Sequence, residues 1–156
     1  MKKVLMLVGL IALTSSALAQ DAMHGKGIVV KPDALIWKDN PALPKGIQVA
    51  VILGDPTKAE AVVQRVKFPP NIEIAPHTHP YSEVVTVISG TIATDEGEKL
   101  EKKAEMLKAG SLFTHPAKHA HYAWSGPDGA IVQVQFTGPG GIDYINPADD
   151  PRKKTQ

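Results

Sequence analysis

Two histidines separated by one residue, with a glutamate four residues further on, stand in the segment Pro76-His77-Thr78-His79-Pro80-Tyr81-Ser82-Glu83. In an extended chain the side chains at i and i+2 point to one face. His77 and His79 can therefore approach one ion from the same side, and Glu83 joins them if the strand continues or bends once. Neutral imidazole and ionised carboxylate are ligands that zinc and first-row transition metals accept. The chain has no cysteine, so any metal site in it is built from nitrogen and oxygen. A complete cluster needs at least one more ligand. The remaining histidines are His24, near the start, and His115, His119 and His121, close together later in the chain. His119 and His121 share a face if their segment is extended, and only one of the two can lie at the depth of an ion held by His77 and His79.

The elements that must position these residues read as short strands. Gly46 to Leu53 and Ala61 to Phe68 are apolar or alternating runs closed by Gly54-Asp55-Pro56 and Pro69-Pro70-Asn71. Ile72 to Ile74 leads into the histidine pair. Glu83 to Ile88 is apolar on both faces, as a doubly covered strand is, and Ser89-Gly90 turns it into Thr91 to Thr94. Ser111 to Thr114, His119 to Trp124, Ala130 to Phe136 and Ile142 to Ile145 complete the set. Leu100, Ala104 and Leu107 stand at helical spacing in the charged stretch from Glu96 to Lys108, which allows a short surface helix or a charged loop ending in a strand. Gly27 to Val30 and Ala34 to Trp37 read as short edge strands of a lead-in. Many short strands with Gly and Pro turns between them predict an all-β sandwich or barrel.

The residues now carry a resemblance. His77-x-His79-x3-Glu83-x6-Gly90 resembles the first signature of the cupin superfamily. Gly110, five residues, Pro116, Ala117, Lys118, two residues, His121, then Ser125, is similar to the second. The resemblance covers residues 46 to 137. It implies a cupin-like double-stranded β-helix (a jelly-roll barrel) with a six-stranded core, and frequent homodimers. It further implies a metal held by three histidines and one glutamate, which carries over to His77, His79, Glu83 and His121. Three positions depart from the pattern: Asn71 and Lys118 stand where glycine is expected, and Ser125 where asparagine is. Asn71 tolerates a left-handed turn; Lys118 disfavours one.

Around this site Tyr81, His119 and Tyr122 are expected to line a pocket or support the ligands. For Trp124, core or rim packing is at least as good a reading. His115 precedes Pro116 and reads as a turn residue; His24 reads as solvent-exposed. Gly138-Pro139-Gly140-Gly141 lacks the strand-to-helix setting of a phosphate loop and reads as an ordinary loop.

Outside the barrel, residues 1–19 look like a secretory signal peptide. Lys2 and Lys3 start it, Val4 to Leu13 is its apolar run, and Ala17-Leu18-Ala19 is a small-x-small cleavage site before Gln20. The run is too short to span a bilayer. The expected layout is then a lead-in over 20–45, a barrel over 46–147 and a tail over 148–156, in the periplasm or outside the cell. With 17 basic and 16 acidic residues the chain shows no nucleic-acid footprint. The expected cofactor is a divalent transition metal: Fe, Mn, Zn, Ni or Cu. The expected partner is a small molecule at its open positions, either simply bound or turned over by an oxygenase, oxidoreductase, decarboxylase or isomerase.

Overall fold

A computed structural model describes residues 27–153 of the chain. Residues 1–19, where a signal peptide is expected, and His24 lie outside the described residues. Among the described residues nine strands follow one another: β1 (Lys38–Asp39), β2 (Gln48–Leu53), β3 (Ala61–Phe68), β4 (Glu73–Thr78), β5 (Glu83–Glu96), β6 (Leu107–Lys108), β7 (Leu112–His115), β8 (His121–Thr137) and β9 (Asp143–Tyr144). The expected strands at 27–30 and 34–37 are absent. A 3-10 turn at Pro32–Ala34 and the two-residue β1 stand there instead, as the proline-rich spacing of the segment permits no longer ladder.

All strand pairings are antiparallel, and β8 is the spine. Its second half pairs with β3 on one side and with the first half of β5 on the other. Its first half pairs with β4 on one side and the second half of β5 on the other. The one continuous sheet thus folds into two layers. The first runs β1-β2-β3-β8-β5-β7, and the second runs β9-β4-β8-β5-β6. β5 and β8 each pass from one layer to the other. The fold is a cupin-like double-stranded β-helix.

The passage between layers is a shared corner. Phe68 pairs with Ala130 and Glu73 with Trp124, which leaves 69–72 and 126–129 out of the ladder at the same height. Gly90 and Gly129 take φ of 68° and 71° there. A Cβ on Gly90 would lie 2.1 Å from the Gly129 carbonyl oxygen, and one on Gly129 would lie 2.5 Å from that of Phe68. Only glycine permits both the backbone angle and the approach. Ser125 ties the corner: its hydroxyl donates to the Pro69 carbonyl at 2.6 Å and accepts from the Ile72 N–H at 3.1 Å. Asn71 turns left-handed as expected, with φ of 54°. Lys118 does so too, at 61°, although its side chain disfavours it. The Lys118 N–H donates to the His79 carbonyl at 2.7 Å, which helps hold that turn.

The core lies between the layers. Val62, Val66, Val85, Val132, Val134 and Phe136 come from the first, and Ile74, Ile92 and Tyr144 from the second. Burial alternates along the end of β8: Val132, Val134 and Phe136 are buried, while Gln133 and Gln135 are not. The stretch from 97 to 106 forms no helix. It lies as a loop, with Leu100 and Ala104 packed over Ala93, Tyr122 and Trp124, on a separate cluster from the core between the layers.

Gly90→Ala is expected to cost about 2–4 kcal/mol, the sum of left-handed strain and overpacking. Gly110→Ala, where a Cβ meets open space, is expected to cost only about 1 kcal/mol. Urea unfolding of the two variants beside wild type reads the difference.

Candidate metal centre

The site sits where the two layers approach each other beyond the core. His77 on β4 pairs directly with His121 on β8, and Tyr144 on β9 flanks His77 from the other side. Those residues belong to the second layer. Glu83 opens β5 in the first layer and pairs with His115, the last residue of β7. His79 lies just past the end of β4. The structure brings His77, His79 and His121 into one group, and Glu83, His115 and His121 into a second group that shares His121. Within each group the ligating atoms lie within 4.8 Å of one another.

Each of the three expected histidine ligands is held by the main chain through the same ring atom. His77 Nδ1 meets the Ala75 carbonyl at 2.8 Å, His79 Nδ1 meets that of Gly141 at 2.6 Å, and His121 Nδ1 meets that of His119 at 2.9 Å. A carbonyl only accepts, so each Nδ1 must donate. In the neutral ring the proton is then on Nδ1, and Nε2 carries a lone pair. The Nε2 atoms of His121 and His79 lie 3.4 Å and 3.9 Å from the two carboxylate oxygens of Glu83. His121 Nε2 is buried and makes no hydrogen bond. Lone pairs and an anion therefore converge with no donor among them, an arrangement that costs free energy until a cation enters. The donor set fits a divalent transition metal, and the backbone contacts fix the tautomer that such a ligand needs.

Electrostatics follow from depth. His77, His121 and Glu83 are 3%, 3% and 8% exposed. Burial, reinforced by neighbouring His121 and His79, pushes His77 down to about 2. Burial also lowers His79, against the opposing pull of Glu83 and the Gly141 carbonyl. For Glu83, burial works upward, but the contact with His121 and the nearby histidines outweigh it and hold the carboxyl below its usual range.

The supporting residues are partly those expected. Tyr81 is stacked between His79 and Phe136, with ring centroids 5.0 Å and 4.1 Å away, so it walls the site. His119 contributes its carbonyl to His121, but its ring points away and meets Glu96 at 3.1 Å near the surface. Tyr122 is a correction. Alternation along β8 sends it to the opposite face from His121, where it stacks on Trp124 under the 97–106 loop. His115 is a second correction. It is no surface turn residue but is 4% exposed, with its ring stacked on His121 at 3.9 Å. The Gly138–Gly141 loop is a loop as expected, yet its Gly141 carbonyl anchors His79. A backbone carbonyl leaves no mark in a sequence; His115 was visible as a histidine, but not its direction. A cleft of about 800 Å3, lined in part by Leu35, Val51, Phe136, Ile142 and Arg152, reaches the site at His79 and Tyr81.

Comparison with known proteins agrees with this architecture. Residues 64–132 match the family described as the cupin domain. The polyketide cyclase RemF from Streptomyces resistomycificus superposes with a TM-score of 0.66 at 16% identity, over 82% of this chain and 92% of that one. KdgF from a Halomonas species gives 0.57 at 21%, over 72% and 96%. An RmlC-like cupin from Shewanella frigidimarina gives 0.56 at 21%, over 72% and 91%. No curated protein matches the chain by sequence. Fold and residues thus define a double-stranded β-helix with a histidine and glutamate cluster that could hold a metal. The chain resembles the cupin superfamily, in its motifs and in its fold.

For metal-free protein the buried histidines set the acid limit. The unfolded state binds their protons near 6.5, whereas His77 and His115 bind them only near 2 and 4. Their contribution is complete above about pH 6.5 and falls as pH drops through the window below it. Each such group contributes a slope of about 1.4 kcal/mol per pH unit while it is protonated only in the unfolded chain. Unfolding free energy measured from pH 8 to pH 4 is expected to be flat at first and then to fall, and His77→Phe is expected to reduce the slope.

Proposed function

We propose that this protein is an exported cupin-like metal-binding protein. It holds one divalent transition-metal ion through Nε2 of His77, His79 and His121 and the carboxylate of Glu83, with a small molecule at the open positions. The observation that carries this reading is the convergence of acceptors with no donor between the two layers. An ion there would supply Lewis-acid or redox chemistry to a bound molecule. The chain's own residues do the rest. Backbone carbonyls orient the imidazoles, Tyr81 and Phe136 wall the site, and the cleft past His79 offers the way in. Iron, manganese, zinc, nickel and copper all accept this donor set. Homodimerisation enters the reading through the resemblance alone.

An enzyme is the second reading, favoured by the cleft that meets the candidate ligands at His79. Solved structures with this fold include the polyketide cyclase and an oxalate oxidase. Fold by itself carries no activity from them to this chain.

Elemental analysis of purified protein is expected to find about one transition-metal ion per chain. Replacing His77 and His79 together by Ala should remove it, and His121→Ala should cost far more metal than His119→Ala. Full occupancy in the double variant would overturn the ligand assignment. Export rests on the signal-like residues 1–19. Its test is the amino terminus of the protein recovered from the periplasm or medium, expected to be Gln20; an intact Met1 in the cytoplasm would reject it.

A further inference from the structure

The first layer continues past β3 into β2 and β1, and β2 has only those two as ladder neighbours. On β2, Val49 pairs with Val66 and Val51 with Gln64. Val66 belongs to the core, so Val49 and Val51 both point inward. Val49 packs on the core, whereas Val51, one step further along, is 45% exposed. It is exposed to the cleft of about 800 Å3 that reaches His79 and Tyr81. Ile36 and Val30, 55% and 38% exposed, line the same cleft from the segment before β2. Single apolar side chains scattered over a surface need no explanation, but several gathered in one concavity mark a place for a ligand.

The charges of the cleft point the same way. Lys38, Lys58 and Arg152 line it together with Asp39, Asp55 and Glu60, so neither sign is in excess. Most of these groups are already engaged. Lys58 pairs with Asp55 at 3.2 Å, and the Asp55 N–H donates to Glu60 at 2.7 Å. Arg152 donates to Asp150 at 2.8 Å and to the Ile142 carbonyl at 3.1 Å, and Asp39 accepts from Gln48 at 3.2 Å. What the cleft leaves unused is apolar surface. A cleft of this volume suits a ligand of drug-like size, and a two-carbon acid would leave most of it unfilled. Its link to the ligand cluster is His79, whose side chain is 12% exposed against 3% for that of His121.

Resting on the metal reading above, we propose that the molecule bound at this site is an amphiphile. Its oxygen-bearing head meets the ion at His79, and its extended, uncharged apolar body lies in the cleft against Val51 and Ile36. The head is held through the metal. The body is held by the apolar surface it loses to water, so the cleft selects by length and against charge.

Straight-chain hydroxamates from acetohydroxamate to octanohydroxamate make the probes, since they keep one metal-chelating head and lengthen only the tail. Binding to metal-loaded protein is followed by calorimetry, with metal content measured on the same samples. Wild type is expected to gain about two- to fourfold in affinity per added methylene. A terminal carboxylate on the longest tail is expected to cancel most of that gain. Val51→Asp is expected to flatten the dependence on length while leaving metal content and acetohydroxamate affinity within about twofold of wild type. Ile36→Ser, at an exposed position outside any strand, is expected to act in the same direction and serves if the aspartate variant does not fold. Leu112→Ser, 61% exposed and away from the cleft, is expected to change nothing. Affinity independent of tail length in metal-loaded wild type overturns the proposal. So does a length dependence that both cleft variants keep, or one that Leu112→Ser lowers as much as they do. Wild type that holds no ion and binds no acetohydroxamate brings down the metal reading instead, and the slope with tail length in that sample still decides whether the cleft takes an apolar body.

Discussion

Strands that change layer must turn their corners at the same height, and the rest of this structure depends on that constraint. β8 leaves the ladder between Ser125 and Ala130. Its neighbours can follow only if 69–72 and Gly90 bend alongside. The corner admits no side chain at Gly90 or Gly129. Above it, Val132 to Phe136 face the core; below it, His121 faces His77. A single strand thereby supplies both the apolar packing and a candidate ligand. The geometry of the site is fixed by the same bend that closes the core.

Burial then acts in opposite senses in the core and at the site. Around Val66, Val87 and Val132 the removal of water stabilises the fold at about 25 cal/mol per Å2 of apolar surface. Around Glu83 it strands a carboxylate among imidazoles that have already given their protons to the main chain. The core compensates for a site that is unfavourable by itself. This division places the acid sensitivity of the metal-free fold in the site's titratable groups rather than in the core.

Much of this was legible from residues alone. Ala61 to Phe68 is a strand to the residue, because its alternation is regular and prolines close it. His77 and His79 lie in one group with His121, the histidine that the resemblance rather than the spacing singles out, and Glu83 lies beside His121 and His79. What escaped had physical reasons. Tyr122 is expected to line the site, but it directly follows His121, and strand alternation sends neighbours to opposite faces. His115 looked like a turn residue because Pro116 follows it, whereas its partner across the ladder, Glu83, lies 32 positions away in the chain. Leu100, Ala104 and Leu107 kept helical spacing without a helix. Leu100 and Ala104 cover one cluster and Leu107 joins another, so the spacing served two surfaces.

The three carbonyls that hold His77, His79 and His121 belong to Ala75, Gly141 and His119. A main-chain oxygen survives replacement of the side chain attached to it. The lining of the cavity is therefore free to drift while the ligand frame stays where it is. The freedom is not symmetrical, however. A carboxylate in place of any of the three imidazoles would set its oxygens against a carbonyl oxygen, with no proton to share. The frame tolerates change around it but filters by charge at its own positions, so the site is open to new ligands and closed to new ligators.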